Sequence, residues 1–186
     1  MTRILGVSGS LRRASFNTAL LRTAQGLMPA DSTLIEGSIA GIPLYDADEE
    51  QASGLPDAVT TLKAQIEDAD GLLLFSPEYN NSIPGVFKNA IDWTSRPAGD
   101  IPRVFGGKPV AVLGASPGSF GTILAQDAWL PVLRTLGTRP WWSGRLMVGR
   151  AGEVFDGQGQ MTDERTRQRL QTLLAGFVAF AAGQTD

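Results

Sequence analysis

The chain contains neither cysteine nor histidine. Those absences exclude a thiol nucleophile, a disulfide framework, a Cys/His zinc cluster, an iron–sulfur centre, a histidine-based triad and haem ligation by His or Cys. Any catalysis must run through carboxylates, hydroxyls, Arg, Lys, Tyr and backbone, or through a bound cofactor. Charge of one sign is also scarce: 16 basic against 19 acidic residues leave a net charge of −3, far from the clustered basic face of a nucleic-acid binder. Long hydrophobic runs are missing too. Residues 4–7 and 173–182 are the apolar stretches nearest the two ends, the first too short for a signal-peptide core and both too short for a membrane span. The expectation is a cytoplasmic protein with no nucleic-acid and no membrane partner, folded as one domain over residues 1–186.

What is present is a regular alternation. Apolar runs of strand length lie at 3–7, 33–37, 71–76, 109–114 and, less cleanly, 141–148, with helix-like segments at 17–28, 56–68, 85–94, 125–136 and 162–180 between and after them. In the last segment Leu170, Leu173, Leu174, Phe177 and Val178 make one apolar stripe, and Thr162 or Asp163 can cap it. Pro131 is expected at a kink, or at a division between two short helices. The strands are continuous apolar runs, as a parallel sheet covered on both faces requires. The fold expected is therefore α/β: a doubly wound, five-stranded parallel sheet with helices on both faces. Ligands of such sheets bind at the carboxyl ends of the strands, where the winding reverses. The loops after strands one, three and four are the ones to read.

After strand one, residues 6–18 read GVSGSLRRASFNT. This is neither the GxGxxG dinucleotide fingerprint nor a P-loop, and no Lys is present to meet a β/γ-phosphate. Ser10, Ser15, Asn17 and Thr18 are neutral donors, Arg12 and Arg13 supply charge, and a helix start adds backbone N–H groups. That set suits a terminal phosphomonoester. The competing reading is that Ser15 or Asn17 merely caps the helix and the arginines are solvated.

The loop after strand three, residues 76–85, reads SPEYNNSIPG. Pro77 and Pro84 stiffen it, so its backbone groups form a fixed edge able to read a planar heterocycle, with Tyr79 as an aromatic wall. A plain structural turn is the competing reading. The third loop, GASPGSFGT at 114–122, offers Ser116 as a donor and glycines that permit close backbone approach or a positive φ. Three polar loops without a strong general base describe a site for a cofactor that brings its own reactivity.

Three motifs taken together, Gly9-Ser10-Leu11-Arg12 with Ser15-Phe16-Asn17, Pro77-Glu78-Tyr79-Asn80 with Ser82-Ile83-Pro84-Gly85 and Lys88-Asn89-Ala90-Ile91-Asp92-Trp93, and Ser116-Pro117-Gly118, carry a family resemblance. They resemble the NAD(P)H-dependent FMN reductases, flavodoxin-like proteins that include quinone and chromate reductases. The likeness extends over nearly the whole chain, including Ile42-Pro43-Leu44-Tyr45-Asp46 and the final helix. The resemblance implies a single flavodoxin-like FMN-binding domain. It implies that the FMN phosphate lies against Ser10, Arg12, Ser15, Asn17 and Thr18, with Phe16 in the same cofactor-binding segment. It implies that the isoalloxazine edge meets the backbone of Pro77, Glu78, Tyr79 and Asn80, with Ser116 and Gly118 approaching from the other side. NADPH or NADH as co-substrate, hydride transfer to flavin N5, ping-pong exchange with a small-molecule electron acceptor such as a quinone or flavin, and a homodimer or homotetramer with residues 84–93 at the contact are further implications. No catalytic side chain is assigned. Two positions depart from the family pattern: Thr122, where many members have a second Gly, and Asn81, where an aromatic or small residue is common.

A flavodoxin-like electron carrier or flavin-binding regulator, without nicotinamide turnover, is the alternative. A net charge of −3 is weak steering for such a carrier. A phosphate-binding module without flavin is a third reading. Trp141 and Trp142 are read as a strand end or subunit contact rather than a stacking platform. The acidic run from Tyr45 to Glu50 lacks the glycine and spacing of a calcium loop and is expected to be a solvated loop. Arg165, Arg167 and Arg169 are expected to form a solvated face. Glu78 and Asp92 are the carboxylates near the expected site, and Arg96 is a candidate contact for a nicotinamide phosphate or a neighbouring subunit.

Overall fold

The computed structural model describes residues 1–183. Strand β1 (Thr2–Ser8) is followed by helix α1 (Phe16–Gln25), β2 (Ser32–Gly37), α2 (Ala47–Ser53), α3 (Asp57–Asp68), β3 (Gly71–Phe75) and α4 (Gly85–Thr94). The second half adds α5 (Ile101–Val104), β4 (Pro109–Ala115), α6 (Ile123–Thr135), β5 (Arg139–Pro140), β6 (Leu146–Val148), α7 (Ala151–Val154) and α8 (Glu164–Ala181). The strand order is β2-β1-β3-β4-β5, with β6 also on β4, and every pair is parallel. The winding reverses between β1 and β3, as a flavodoxin-like sheet requires.

Two apolar layers sandwich the sheet. On one face Leu20, Leu21 and Ala24 of α1 meet Leu170, Leu174 and Phe177 of α8. On the other, Leu62 and Ile66 of α3, Phe87 and Ile91 of α4, and Trp129 and Leu133 of α6 pack together. All five residues of β3 are buried, which is why that segment reads as an uninterrupted apolar run.

Three local expectations are corrected. The 141–148 run is not a single strand: β5 and β6 pair with opposite ends of β4, as Pro109↔Arg139 and Leu113↔Leu146, and residues 141–145 leave the ladder between them. The excursion puts the Trp141 ring against Phe177 and Phe180 of α8, while Trp142 is 67% exposed. Both segments lie on the same edge of β4, so the fifth position of the expected sheet is filled by two short strands. Pro131 does not divide α6, which runs unbroken from Ile123 to Thr135; it lies on the exposed face, where water can reach the carbonyl its missing N–H leaves free. The acidic run is not a loop either. Asp46 accepts the Asp48 N–H at 2.9 Å and starts α2, and Asp48, Glu49 and Glu50 in its first turn suit the positive end of the helix dipole. Among the described residues no helix is long and apolar enough to cross a membrane.

Candidate functional site

The loops following β1, β3 and β4 lie side by side because the three strands are neighbours, and the ladder continues into them. Gly9 N–H donates to Phe75 O at 2.9 Å and Ser76 N–H to Leu113 O at 2.8 Å. Close approach is built in at two glycines. A Cβ on Gly9 would sit 2.1 Å from Phe87 Cδ1, and one on Gly114 would sit 2.0 Å from Thr122 Oγ1 and 2.3 Å from Ser76 O. Thr122 therefore fills the space beside Gly114, fully buried, with its hydroxyl within 3.3 Å of Gln126 Nε2.

In the first loop Ser15 is the N-cap of α1, its Oγ accepting the Asn17 and Thr18 N–H groups at 3.2 and 3.3 Å. Ser10 Oγ accepts Arg12 N–H at 3.3 Å, and the Ser8 and Thr18 hydroxyls bond at 2.9 Å. Arg12 and Arg13 are exposed. Phe16 stacks on Phe155 at 5.9 Å and lines the same groove as Arg12, Ser15 and Thr18. Asn17 is only 3% exposed, and its amide is committed at both ends: Nδ2 donates to Ala115 O and Oδ1 accepts Ala115 N–H, each at 2.9 Å. Its side chain stitches the start of α1 to the end of β4.

In the second loop the buried Ser76 hydroxyl donates to Pro77 O at 2.9 Å and accepts the Trp129 indole N–H at 3.0 Å. Tyr79 and Ser82 exchange two backbone hydrogen bonds at 3.1 Å, with Asn80 and Asn81 between them at φ 49° and 62°. Two successive left-handed residues make a type I′ turn, for which Asn is well suited. Glu78 turns its carboxylate to α6, where Oε2 accepts Leu124 N–H at 2.9 Å and Ala125 N–H at 3.0 Å. Thr122, the N-cap residue, makes no side-chain cap of its own. Glu78 thus supplies one from another loop.

The third loop is tied to a segment that loop reading of the sequence passed over. Ser116 N–H donates to Val148 O at 3.0 Å, Ala151 N–H to Ser116 O at 3.0 Å and Arg150 N–H to Gly118 O at 2.9 Å. Ser116 Oγ donates to Gly121 O at 2.7 Å. Gly149 must be glycine, since a Cβ there would lie 2.3 Å from Ser119 O. Gly118 is exposed. Around the three loops stand exposed apolar side chains: Leu11 at 56%, Tyr79 at 47%, Phe120 at 80% and Leu124 at 44%.

Arg96 and Asp92 are engaged elsewhere. Arg96 Nε donates to Glu50 Oε2 at 2.8 Å, and the Tyr45 hydroxyl donates to the same oxygen at 2.9 Å. The Arg96 bond holds the Glu50 carboxyl below its usual range against the opposing effect of burial. The hydrogen bond to Glu50 holds the Tyr45 hydroxyl above its usual value. Asp92 pairs with Lys88 at 2.7 Å. Among the described residues no group of three His, Cys, Asp or Glu could hold a metal.

The donor set at the first loop fits a flavin mononucleotide phosphate: hydroxyls of Ser10, Ser15 and Thr18, the exposed Arg12, and the start of a ten-residue helix. A family profile of NADPH-dependent FMN reductases matches residues 2–153. An NAD(P)H-dependent FMN reductase of Pseudomonas aeruginosa is 45% identical over 172 residues, covering 92% of this chain and 91% of that one. A 2-hydroxy-1,4-benzoquinone reductase from Burkholderia is 40% identical, covering 96% and 95%. Among solved structures, a flavoenzyme NAD(P)H:(acceptor) oxidoreductase from Paracoccus denitrificans superposes with a TM-score of 0.87 at 34% identity, covering 99% of each chain.

Proposed function

We propose a function on one premise: this chain belongs to the NADPH-dependent FMN reductase family. It is an FMN-containing oxidoreductase that uses a reduced nicotinamide to reduce a quinone, a flavin or a similar small acceptor. The observation that carries this reading is the meeting of three bonded loops at the carboxyl edge of β1, β3 and β4, with phosphate donors at one end and an exposed backbone edge at the other.

FMN, when bound, supplies the two-electron chemistry, with nicotinamide and acceptor using its open face in turn. Ser10, Arg12, Ser15 and Thr18 hold the phosphate. Asn17 acts from behind, fixing the loop to Ala115. The backbone of residues 77–80 borders the ring, held in shape by the Tyr79–Ser82 turn and by Glu78 on α6, and Ser116 and Gly118 face it from the third loop. No side chain is required as a proton donor, which suits a chain without histidine or cysteine.

The exposed Leu11, Tyr79, Phe120 and Leu124 favour a second copy of the chain covering the rim, as homodimer or homotetramer, since apolar patches on a soluble protein mark contacts. Work in the cytoplasm, where reduced nicotinamides are regenerated, fits the same chemistry. The test is to load the purified protein with FMN and add NADPH or NADH without oxygen, following flavin bleaching. Bleaching with turnover on a quinone is expected. Failure to take up FMN overturns the reading, and FMN uptake without nicotinamide-driven bleaching assigns an electron carrier instead.

A further inference from the structure

A groove of about 900 Å³ opens at the first loop and runs outward along α1, from Arg12 to Gly26, with residues 156–160 and Arg167 of α8 as its opposite wall. Four arginines line it, Arg12, Arg13, Arg22 and Arg167, against a single carboxylate, Asp156. This concentration is unusual in a chain whose net charge is −3. Asp156 offsets only one of the four charges and forms no ion pair with them among the described residues; its Oδ1 accepts Gln158 N–H at 2.9 Å and Gln160 N–H at 2.8 Å, folding the glycine-containing loop. Arg22 reaches Glu36 only at 3.9 Å. Arg12, Arg13 and Arg167 have no ion-pair partner among the described residues. One end is aromatic and apolar, with Phe16 stacked on Phe155 beside Met161.

A single phosphate at the first loop does not account for this. Arg22 lies seven positions after Ser15 on α1, about 10 Å further along at 1.5 Å per residue, and Arg167 comes from a different helix. Guanidinium groups in a concave site that are unpaired, or paired only at 3.9 Å as Arg22 is with Glu36, favour a second anionic group, and the aromatic end suits a planar base. We propose that this groove binds an adenosine phosphate, with the phosphate on Arg22 and Arg167 and the purine over the Phe16–Met161 surface. NADPH carries that group as its adenosine 2′-phosphate, which NADH lacks; the adenylate phosphate of FAD is joined to the flavin-side phosphate through one oxygen and cannot reach a site about 10 Å further along α1. The proposal rests on the proposed function for a reduced nicotinamide as the reductant.

The test uses the charge-reversing pair Arg22→Glu with Arg167→Glu, and Arg22→Gln with Arg167→Gln as a milder pair should reversal impair folding. Adenosine 2′,5′-bisphosphate is titrated calorimetrically into FMN-loaded protein. Saturable binding to the unsubstituted chain is expected, weakened at least tenfold in the variants, with FMN loading and NADH-driven bleaching unchanged. No saturable binding, or equal binding by all chains, overturns the proposal. A raised KM for NADPH with that for NADH unchanged is expected in the variants, and an equal KM for NADPH in all chains overturns the proposal. Failure of the flavin reading would appear separately, as failure to load FMN.

Discussion

The Glu78 carboxylate accepts the Leu124 backbone N–H at 2.9 Å, although Glu78 belongs to the loop after β3 and Leu124 to the first turn of α6. The bond joins the ring-edge loop to the start of α6, placing a negative charge at the positive end of a thirteen-residue helix. A carboxylate that the sequence places near the site is a brace between two of its walls.

Removing that brace separates charge from hydrogen bonding. Glu78→Gln keeps an acceptor oxygen and is expected to lose little stability. Glu78→Ala leaves two N–H groups of α6 uncapped and is expected to cost about 0.5–2 kcal/mol, with weaker FMN binding because the second and third loops are no longer joined. Urea denaturation of apoprotein and FMN titration of each variant measure the two effects. Equal FMN affinity for Glu78→Ala and the unsubstituted chain would remove the brace from the site.

Arg12 and Asn17 are expected to fail in different ways. Arg12→Ala, at an exposed residue, should leave apoprotein stability unchanged and weaken FMN at least tenfold, because a charge-assisted contact contributes about 1.5–3 kcal/mol. Asn17→Ala strips the partners from the buried Ala115 N–H and C=O and should destabilise the apoprotein by roughly 2–6 kcal/mol, at about 1–3 kcal/mol per unsatisfied group. Thermal melts without flavin separate the two.

The different legibility of these residues has a physical basis. Ser15 is readable because an N-cap is a local arrangement, and it does cap α1. The parallel sheet is readable because burial on both faces writes continuous apolar runs such as β3. Asn17 and Glu78 have roles that are not readable, since both bond to backbone groups far along the chain, Ala115 and Leu124, and a peptide group leaves no mark of residue type. The split between β5 and β6 is hidden for a related reason: it depends on Trp141 finding Phe177 of α8. The Asn80-Asn81 turn was open to reading, as paired left-handed positions favour Asn.

The Tyr45–Glu50–Arg96 cluster predicts opposite effects at the two ends of the pH scale. Arg96 holds the Glu50 carboxyl low, so its contribution is complete above the unfolded value of about 4.3 and is lost as pH falls through the lower folded value. The Tyr45 hydroxyl is held high by Glu50, so its contribution is complete below the unfolded value of about 10 and is lost as pH rises through the folded value. Glu50→Gln should therefore be less stable than the unsubstituted chain near neutral pH and converge with it in acid. Tyr45→Phe should converge with it in alkali. Urea midpoints across pH check both, and a pH-independent gap for Glu50→Gln would refute the linkage.

Gly9 makes the most severe steric prediction. A Cβ there would fall 2.1 Å from Phe87 Cδ1 and 2.7 Å from Phe87 Cγ, and the ring cannot swing aside because it is fully buried and packed edge-on against Trp129 at 5.0 Å. Gly9→Ala must therefore displace either α4 or the first loop, at about 1–3 kcal/mol for an overpacked core. The loop is the softer of the two, since Leu11, Arg12, Arg13 and Ala14 are exposed, whereas α4 is anchored by Asn89 and Trp93 to Pro43 O at 2.8 and 2.9 Å. The strain should thus move Ser10 and Arg12 and appear as lost FMN affinity larger than the lost stability. Trimming the ring with Phe87→Leu in the Gly9→Ala background should return FMN binding toward that of Phe87→Leu alone. Non-recovery in the double variant would place the conflict elsewhere than at this pair.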